Sequence, residues 1–304
     1  MRALVVGARG FVGRHAALAL SNSGFDVVGM GHGAWPSHRE WGLKAWSDLH
    51  VSVSNLINSG RDVDVVVNCA GSGNVGFSLQ NPLEDFEKNV RAAIEILEFV
   101  RLHAPKTPVI TLSTAGVYGK CETVPTPETA PLKPVSPYGV HKQVSEEIAA
   151  SYAQHFGLAV TVVRLFSVYG PGLRKQLLWD ACQKFDRQEP IFFGTGDEVR
   201  DWIYVQDAAE LLVTIAKKRW SGLQMLNGGS GIGFTNRQVL EILASELKSK
   251  QPPVFSGESR AGDPDKYVAE ISRAKALGWS PKTDIAIGIR AYAEWFRKKG
   301  SETT

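Results

Sequence analysis

Tyr138 and Lys142, in the stretch Ser136-Pro137-Tyr138-Gly139-Val140-His141-Lys142, stand four residues apart behind a proline suited to a helix start. On a helix that spacing puts both on one face, so a phenol and an ammonium can point into one cleft. An ammonium about 5 Å from a phenol, at an effective dielectric of about 20, favours phenolate by roughly 3 kcal/mol, or about two pKa units. A phenol so placed can exchange a proton near neutrality. Seven Tyr and seventeen Lys in 304 residues give this spacing by chance roughly 0.4 times per chain, so the pair needs support from elsewhere.

A second chemical signal lies near the N-terminus. Gly7-Ala8-Arg9-Gly10-Phe11-Val12-Gly13 follows a short apolar run and precedes a helical pattern from Arg14 to Leu20. Gly7, Gly10 and Gly13 permit a tight turn and let a dinucleotide's diphosphate approach the backbone of this segment, Arg9, Phe11 and Val12 included, at a helix N-terminus. An NAD-binding unit usually carries Asp or Glu near the end of its second strand, where it accepts hydrogen bonds from the adenosine ribose. Val27-Val28-Gly29-Met30-Gly31-His32 has no carboxylate, and His32 at its end is counted with the cofactor-binding residues. A 2′-phosphate would tolerate that gap and could pair with Arg9 or Arg39, so NADP(H) is favoured while NAD(H) stays possible.

These groups need a frame to hold them. Strand-like runs at 3–6, 26–30, 64–69, 108–112 and 159–165 alternate with amphipathic segments. The clearest helix opens at Asn81-Pro82, with apolar residues at Phe86, Val90, Ile94, Leu97 and Val100. Such alternation predicts an α/β fold built on a Rossmann doubly wound parallel sheet. Beyond Tyr169-Gly170-Pro171-Gly172 the pattern loosens into helix-like segments at 176–185, 206–217 and 236–248 and a polar loop at 252–265. The expected organisation is a nucleotide-binding domain at 1–168, with some later segments returning to it, and a smaller mixed α/β substrate lobe at 169–304.

Composition narrows the function classes. With 43% hydrophobic and 21% charged residues the chain can bury a core, and 34 basic against 31 acidic side chains leave a net charge of +3 with no basic block. Nucleic acid is therefore not expected as a partner, whereas an anionic small molecule suits the mild positive charge. Cys69, Cys121 and Cys182 are odd in number and lack ligand spacing, which argues against a disulfide framework and a zinc site and fits a reducing cytosol. No leader-like segment or apolar run of membrane-spanning length is evident, so a cytoplasmic protein without membrane contact is expected.

Taken in order, "GARGFVG" (7–13), "SDL" (47–49), "VVVNCAG" (65–71), "NPLEDFEKNV" (81–90), "STAGVYG" (113–119), "SPYGVHK" (136–142), "VVRLFSVYGPG" (162–172), "RDWIYVQDAAELL" (200–212) and "SRAGDPDKYVAEISRAKALGW" (259–279) resemble the extended short-chain dehydrogenase/reductase family. The branch is that of nucleotide-sugar epimerases, dehydratases and ketoreductases, and the resemblance covers nearly the whole chain. It implies Asp48 and Leu49 near the adenine, Cys69, Ala70 and Gly71 beside the diphosphate and ribose, and Asn89 tying a central helix to the site. It makes Thr114 the catalytic hydroxyl beside Tyr138 and Lys142, with Ser113 the weaker neighbour, and assigns Arg200 and Arg260 to the substrate diphosphate. An ion pair with Asp201 is the plain alternative for Arg200, and packing is the plain role for Trp179 and Trp202. A homodimer joined through helices near 82–102 and 138–156 is also implied.

Departures from the family pattern narrow the reaction. The 4,6-dehydratases usually follow the catalytic hydroxyl with Asp and Glu; Ala115 and Gly116 stand here, which disfavours dehydration. A 4-ketoreductase of a nucleotide-linked deoxyhexose is the favoured reading, consistent with NADPH, and a 4-epimerase retaining NAD is the alternative. Ser167 occupies a substrate-phosphate position where these epimerases commonly have Asn. A non-catalytic NADP-binding protein and reduction of a carbonyl compound without a nucleotide are the remaining readings. The intact Thr114, Tyr138 and Lys142 argue against the former.

Overall fold

The computed structural model describes residues 1–258 and 266–300, with side chains described through residue 298. The first part of the chain runs β1 (Arg2–Val6), α1 (Phe11–Asn22), β2 (Asp26–Gly31), β3 (Leu43–Asp48), α2 (Val53–Ser59), β4 (Val65–Asn68), α3 (Val75–Gln80), α4 (Pro82–Phe86), α5 (Ala92–His103), β5 (Val109–Thr114), α6 (Pro137–Phe156) and β6 (Val160–Leu165). There follow β7 (Ser167–Tyr169), α7 (Gln176–Asp186), β8 (Ile191–Phe192), β9 (Val199–Tyr204), α8 (Val205–Ala216), β10 (Leu223–Gly228), β11 (Gly233–Thr235), α9 (Asn236–Leu247), β12 (Val254–Phe255), β13 (Lys266–Tyr267), α10 (Ser272–Ala276) and α11 (Ile285–Gly300).

Strands such as Val65–Asn68 and Val160–Leu165 are buried along their whole length because helices cover both faces of the sheet. Seven parallel strands lie in the order β10-β6-β5-β4-β1-β2-β3. Strand order reverses between β1 and β4, and it is outside the carboxyl ends of strands at such a point that ligands bind in open α/β sheets. One face packs Ala16, Ala17 and Leu20 of α1 and Leu211, Leu212 and Ile215 of α8 against the strands. The other packs Ile96, Leu97 and Val100 of α5 and Ala149 and Ala153 of α6. Both α8 and β10 come from beyond residue 168, so later chain does return to the large sheet.

The helix expected from Asn81 onward buries Val90, Leu97 and Val100 as its apolar spacing suggests, but not Phe86 and Ile94. Between α4 and α5, Glu87–Arg91 form a single π turn. Its wider turn takes in an extra residue and rotates the face that follows. Asn89 is therefore buried, as is Asp85 ahead of the turn, while Phe86 and Ile94 are each 38% exposed.

The second lobe is built on a smaller mixed sheet in which β9 pairs antiparallel with β11 and parallel with β13 and β7. Its core joins Leu178 and Phe185 of α7, Leu240 and Leu243 of α9 and Ile289 and Tyr292 of α11. Trp179 and Trp202, which could have stacked on a ligand, instead pack on Trp295 and Phe296 and on Tyr169. Among the described residues no helix is long and apolar enough to cross a membrane, and no cluster of side chains could hold a metal ion.

Candidate active site

Gly7 leaves β1 at φ +79, a backbone state open to glycine, and a Cβ there would lie 2.7 Å from the backbone of Cys69 and Ala70. A Cβ on Gly13 would lie 2.2 Å from the Gly7 carbonyl, so both glycines let the first helix, the loop and the β4 end close on one another. Gly10 caps α1 without a side chain, and no acid stands in the first turn. The first N–H groups of the helix, those of Phe11, Val12 and Gly13, thus face an anion with nothing competing for them. The Phe11 ring packs on His15, whose Nε2 lies 3.1 Å from the Pro171 carbonyl and which burial lowers to about 4. A neutral imidazole therefore links the glycine loop to the turn that opens the second lobe.

At the tip of β2 a carboxylate arrives from the next strand. Asp48, the last residue of β3, accepts a hydrogen bond from the Gly33 N–H at 2.6 Å, and Leu49 donates its N–H to the Gly31 carbonyl at 2.9 Å. Arg9 donates to the His32 carbonyl at 2.9 Å, so its guanidinium is engaged with the same tip. Asp48, which the family resemblance sets near the adenine, reaches this tip through sheet register, with Gly31 opposite Asp48.

Across the crevice, Cys69 donates its N–H to the Val6 carbonyl and Ala70 to the Asn68 side chain, which fixes the loop leading to Gly71. Burial pushes the Cys69 thiol up to about 12, so it stays protonated. Gly71 sits at φ +136, and a Cβ there would lie 2.6 Å from Asn89 Oδ1 and 3.3 Å from Lys142 Nζ. The π turn aims Asn89 at this point: its Nδ2 donates to the Asp85 carbonyl, while Oδ1 is buried with no hydrogen-bond partner among the described residues. An uncapped helix N-terminus, two glycines without room for a Cβ and an orphaned amide oxygen together fit a bound dinucleotide.

The three candidate catalytic groups lie at the end of β5 and in the first turns of α6, with Lys142 Nζ beside Gly71. Thr114 ends β5 and accepts from the Gly116 N–H, leaving its hydroxyl proton to bond the Tyr138 phenol. Ser136 caps α6 by accepting from Gly139 N–H, Pro137 takes the first turn, and Tyr138 donates its N–H to Ser78 Oγ. Lys142, one turn on and buried, donates to the Leu112 carbonyl at 3.0 Å. Burial lowers Lys142 to about 8 against the opposing pull of Asp85, Cys69 and Glu146. Tyr138 departs from the simple expectation of an acidified phenol: burial pushes it up to about 12, the Asp85 carboxylate adds to the rise, and the Thr114 bond only partly offsets it. In the protein alone, desolvation of the phenolate outweighs the hydrogen bond from Thr114.

Ser113 faces away from Thr114, as strand alternation requires, and its hydroxyl donates to Glu146 Oε1. Glu146 is forked by Arg164, which also donates to the Tyr118 hydroxyl and the Glu128 carbonyl. This buried network braces the floor of the site and removes Ser113 from the substrate-facing set. Arg200 does not pair with Asp201. It lies over the Tyr267 ring and donates to the Val199 carbonyl, while Asp201 gathers N–H groups of Ser230, Gly231 and Ala269. Ser167, half-buried on β7, pairs in register with Trp202, and Arg260 lies outside the described residues. Sequence reasoning missed Lys175, which caps α7 and brings its ammonium toward Gly73, and the buried Asp85–His141 pair under α6.

A parallel sheet with a glycine loop at its switch point and a Thr–Tyr–Lys set at the strand ends defines a nucleotide-dependent enzyme of the short-chain dehydrogenase/reductase class. Residues 3–227 match the NAD dependent epimerase/dehydratase family, and the chain belongs to it. It is 31% identical to a UDP-glucose 4-epimerase of Azospirillum brasilense, covering 97% of this chain and 92% of that one. Among solved structures it is similar to the UDP-glucose 4-epimerase of Thermotoga maritima bound to UDP-glucose, at 28% identity and a TM-score of 0.89 over 98% of this chain and 99% of that one. It is also similar to the Bacillus cereus UDP-glucuronic acid 4-epimerase with UDP-glucuronic acid and NAD, at 26% identity and a TM-score of 0.88 over 98% and 100%.

Proposed function

We propose that the protein is an NAD-dependent 4-epimerase of a nucleotide-diphosphate sugar. The observation that carries the reading is Thr114 bonded to Tyr138 at the end of β5, with Lys142 bonded to the Leu112 carbonyl of the same strand and Ala115 and Gly116 where a dehydratase needs its acid and base. The chemistry a bound NAD supplies is reversible hydride exchange at C4 of the sugar. Tyr138 takes the proton of the C4 hydroxyl and returns it, and the Thr114 hydroxyl steadies that oxygen as its charge changes. Lys142 holds the nicotinamide ribose and keeps positive charge near the phenol. Arg200, Arg260 and Ser167 are assigned to the substrate diphosphate.

Asp48 bears on the choice of cofactor. Its carboxylate beside Gly33 would repel a 2′-phosphate, and Arg9 is engaged at the His32 carbonyl, which supports NAD over the NADP(H) favoured from sequence. The relatives named as 4-epimerases point the same way. A 4-ketoreductase is the second reading, supported by the bare end of β2 itself. Exposed Leu83, Phe86, Ile94 and Val140 on α4, α5 and α6 support a homodimer through these helices, and three free cysteines support a reducing cytoplasm.

Mass spectrometry of nucleotides released by denaturation, together with incubation of untreated protein with UDP-glucose and UDP-glucuronate, tests the reading. Copurified NAD and a C4-epimer product without added cofactor are expected. NADPH oxidation on a 4-keto sugar with no epimer would return the assignment to reductase.

A further inference from the structure

Under the turn of α6 that carries Tyr138 and Lys142 lies a carboxylate that neither the family pattern nor the helical spacing pointed to. Asp85 is wholly buried, and its Oδ2 is 2.7 Å from His141 Nδ1. A carboxylate only accepts, so this bond fixes the proton on Nδ1. His141 follows Tyr138 by three residues and precedes Lys142 by one, so the bond fastens the catalytic turn to α4. Asp85 Oδ1 is buried with no hydrogen-bond partner among the described residues.

That arrangement costs more than a helix clip requires. An asparagine would accept the same bond without burying a charge, whereas a carboxylate with one bare oxygen carries an uncompensated desolvation penalty. The π turn that follows Asp85 buries Asn89, whose amide bonds the Asp85 carbonyl and whose oxygen faces Gly71. Backbone irregularity, an uncompensated charge and the cofactor-facing amide thus occur in one short segment, and such departures from local rules gather at functional sites.

We propose that Asp85 and His141 are a positioning pair for the reaction: the buried carboxylate, clamped through His141, sets the potential felt by Tyr138 and Lys142 and holds the turn that presents them. The assignment to catalysis rests on the proposed epimerase reading, while the effect on Lys142 does not. Consistent with it, the Asp85 charge raises both groups, resisting the burial that lowers Lys142 and adding to the burial that raises Tyr138.

Few other charges reach this point. On α6, Glu146 is paired with Arg164 of β6; Cys69 at the β4 end is a protonated thiol. Glu84 with Lys88, Glu87 and Glu95 with Arg91, and Glu98 with Arg101 pair at or near the surface of α4, the π turn and α5. Helix α3, the 115–117 turn, β5 and β10 carry no ionisable side chain.

Lys142 can be titrated without substrate by NMR of protein carrying isotope-labelled lysine, with Lys142→Arg to assign its signal. In Asp85→Asn the Lys142 midpoint is expected to fall by about half a unit or more, roughly threefold in proton occupancy. In His141→Gln, which replaces the imidazole of the clamp, the Lys142 midpoint is expected to move away from its wild-type value. If the epimerase reading holds, both limbs of the pH–rate profile in Asp85→Asn move to lower pH, because phenol and ammonium both release their protons more easily. A folded Asp85→Asn protein with an unmoved Lys142 midpoint overturns the proposal. If that variant does not fold, His141→Gln with a Lys142 titration identical to wild type overturns it instead.

Discussion

Lys142 is an ammonium held where water cannot solvate it, and the protein should reveal this as pH-dependent stability. Its folded value is lowered from 10.5 to about 8, so the unfolded chain binds more protons between those values. Stability must therefore rise with pH across that window, the penalty being complete below about 8 and absent above about 10.5. Worked through the linkage relation, the penalty falls by about 2.5 kcal/mol between about pH 7 and pH 10, good to about 1 kcal/mol. Lys142→Met keeps the volume and removes the titration. Urea unfolding of both proteins at the two pH values should show the wild type gaining on the variant by that amount, with equal m values. Parallel stability curves would refute the reasoning, since they would mean that Lys142 is solvated or paired in the folded state.

Other substitutions follow from the same geometry. Gly71→Ala drives a Cβ into Asn89 and Lys142 at φ +136 and should destabilise by about 2–4 kcal/mol in urea unfolding, with loss of NAD affinity in calorimetry. Asp48→Asn removes the charge at the β2 tip and should shift the NADP-to-NAD binding ratio toward NADP by about tenfold. Arg164→Met strands the buried Glu146 carboxylate and should cost about 3–5 kcal/mol, much of it recovered by adding Glu146→Gln. Thr114→Val should lower kcat by about a hundredfold with little change in KM, read in steady-state epimerisation.

The parallel sheet and the glycine loop were legible because each is written locally, in strand-length apolar runs and short spacings, whereas Thr114 was named beside Tyr138 and Lys142 only through the family resemblance. What escaped was set by partners far apart in the chain. Asp85 meets His141 across 56 positions, and Asp48, named only through the family resemblance, reaches the β2 tip by sheet register. The inward turn of Asn89 depends on a π turn, and regular 3.6-residue periodicity instead placed Phe86 and Ile94 on the inner face. The spacing of Tyr138 and Lys142 likewise gives an attraction but not the burial that opposes it, which is why the phenol rises where it was expected to fall.

The central claim is that one enzyme-held NAD removes and returns the same hydride while Tyr138 moves the proton. A nucleotide sugar carrying deuterium at C4, incubated with the purified protein and no added cofactor, tests this most directly. Mass spectrometry should find the C4 epimer with its deuterium retained, and Tyr138→Phe should lower its formation by about a hundredfold or more while leaving bound NAD in place. Epimer that has lost the label, or undiminished turnover in Tyr138→Phe, would contradict the account.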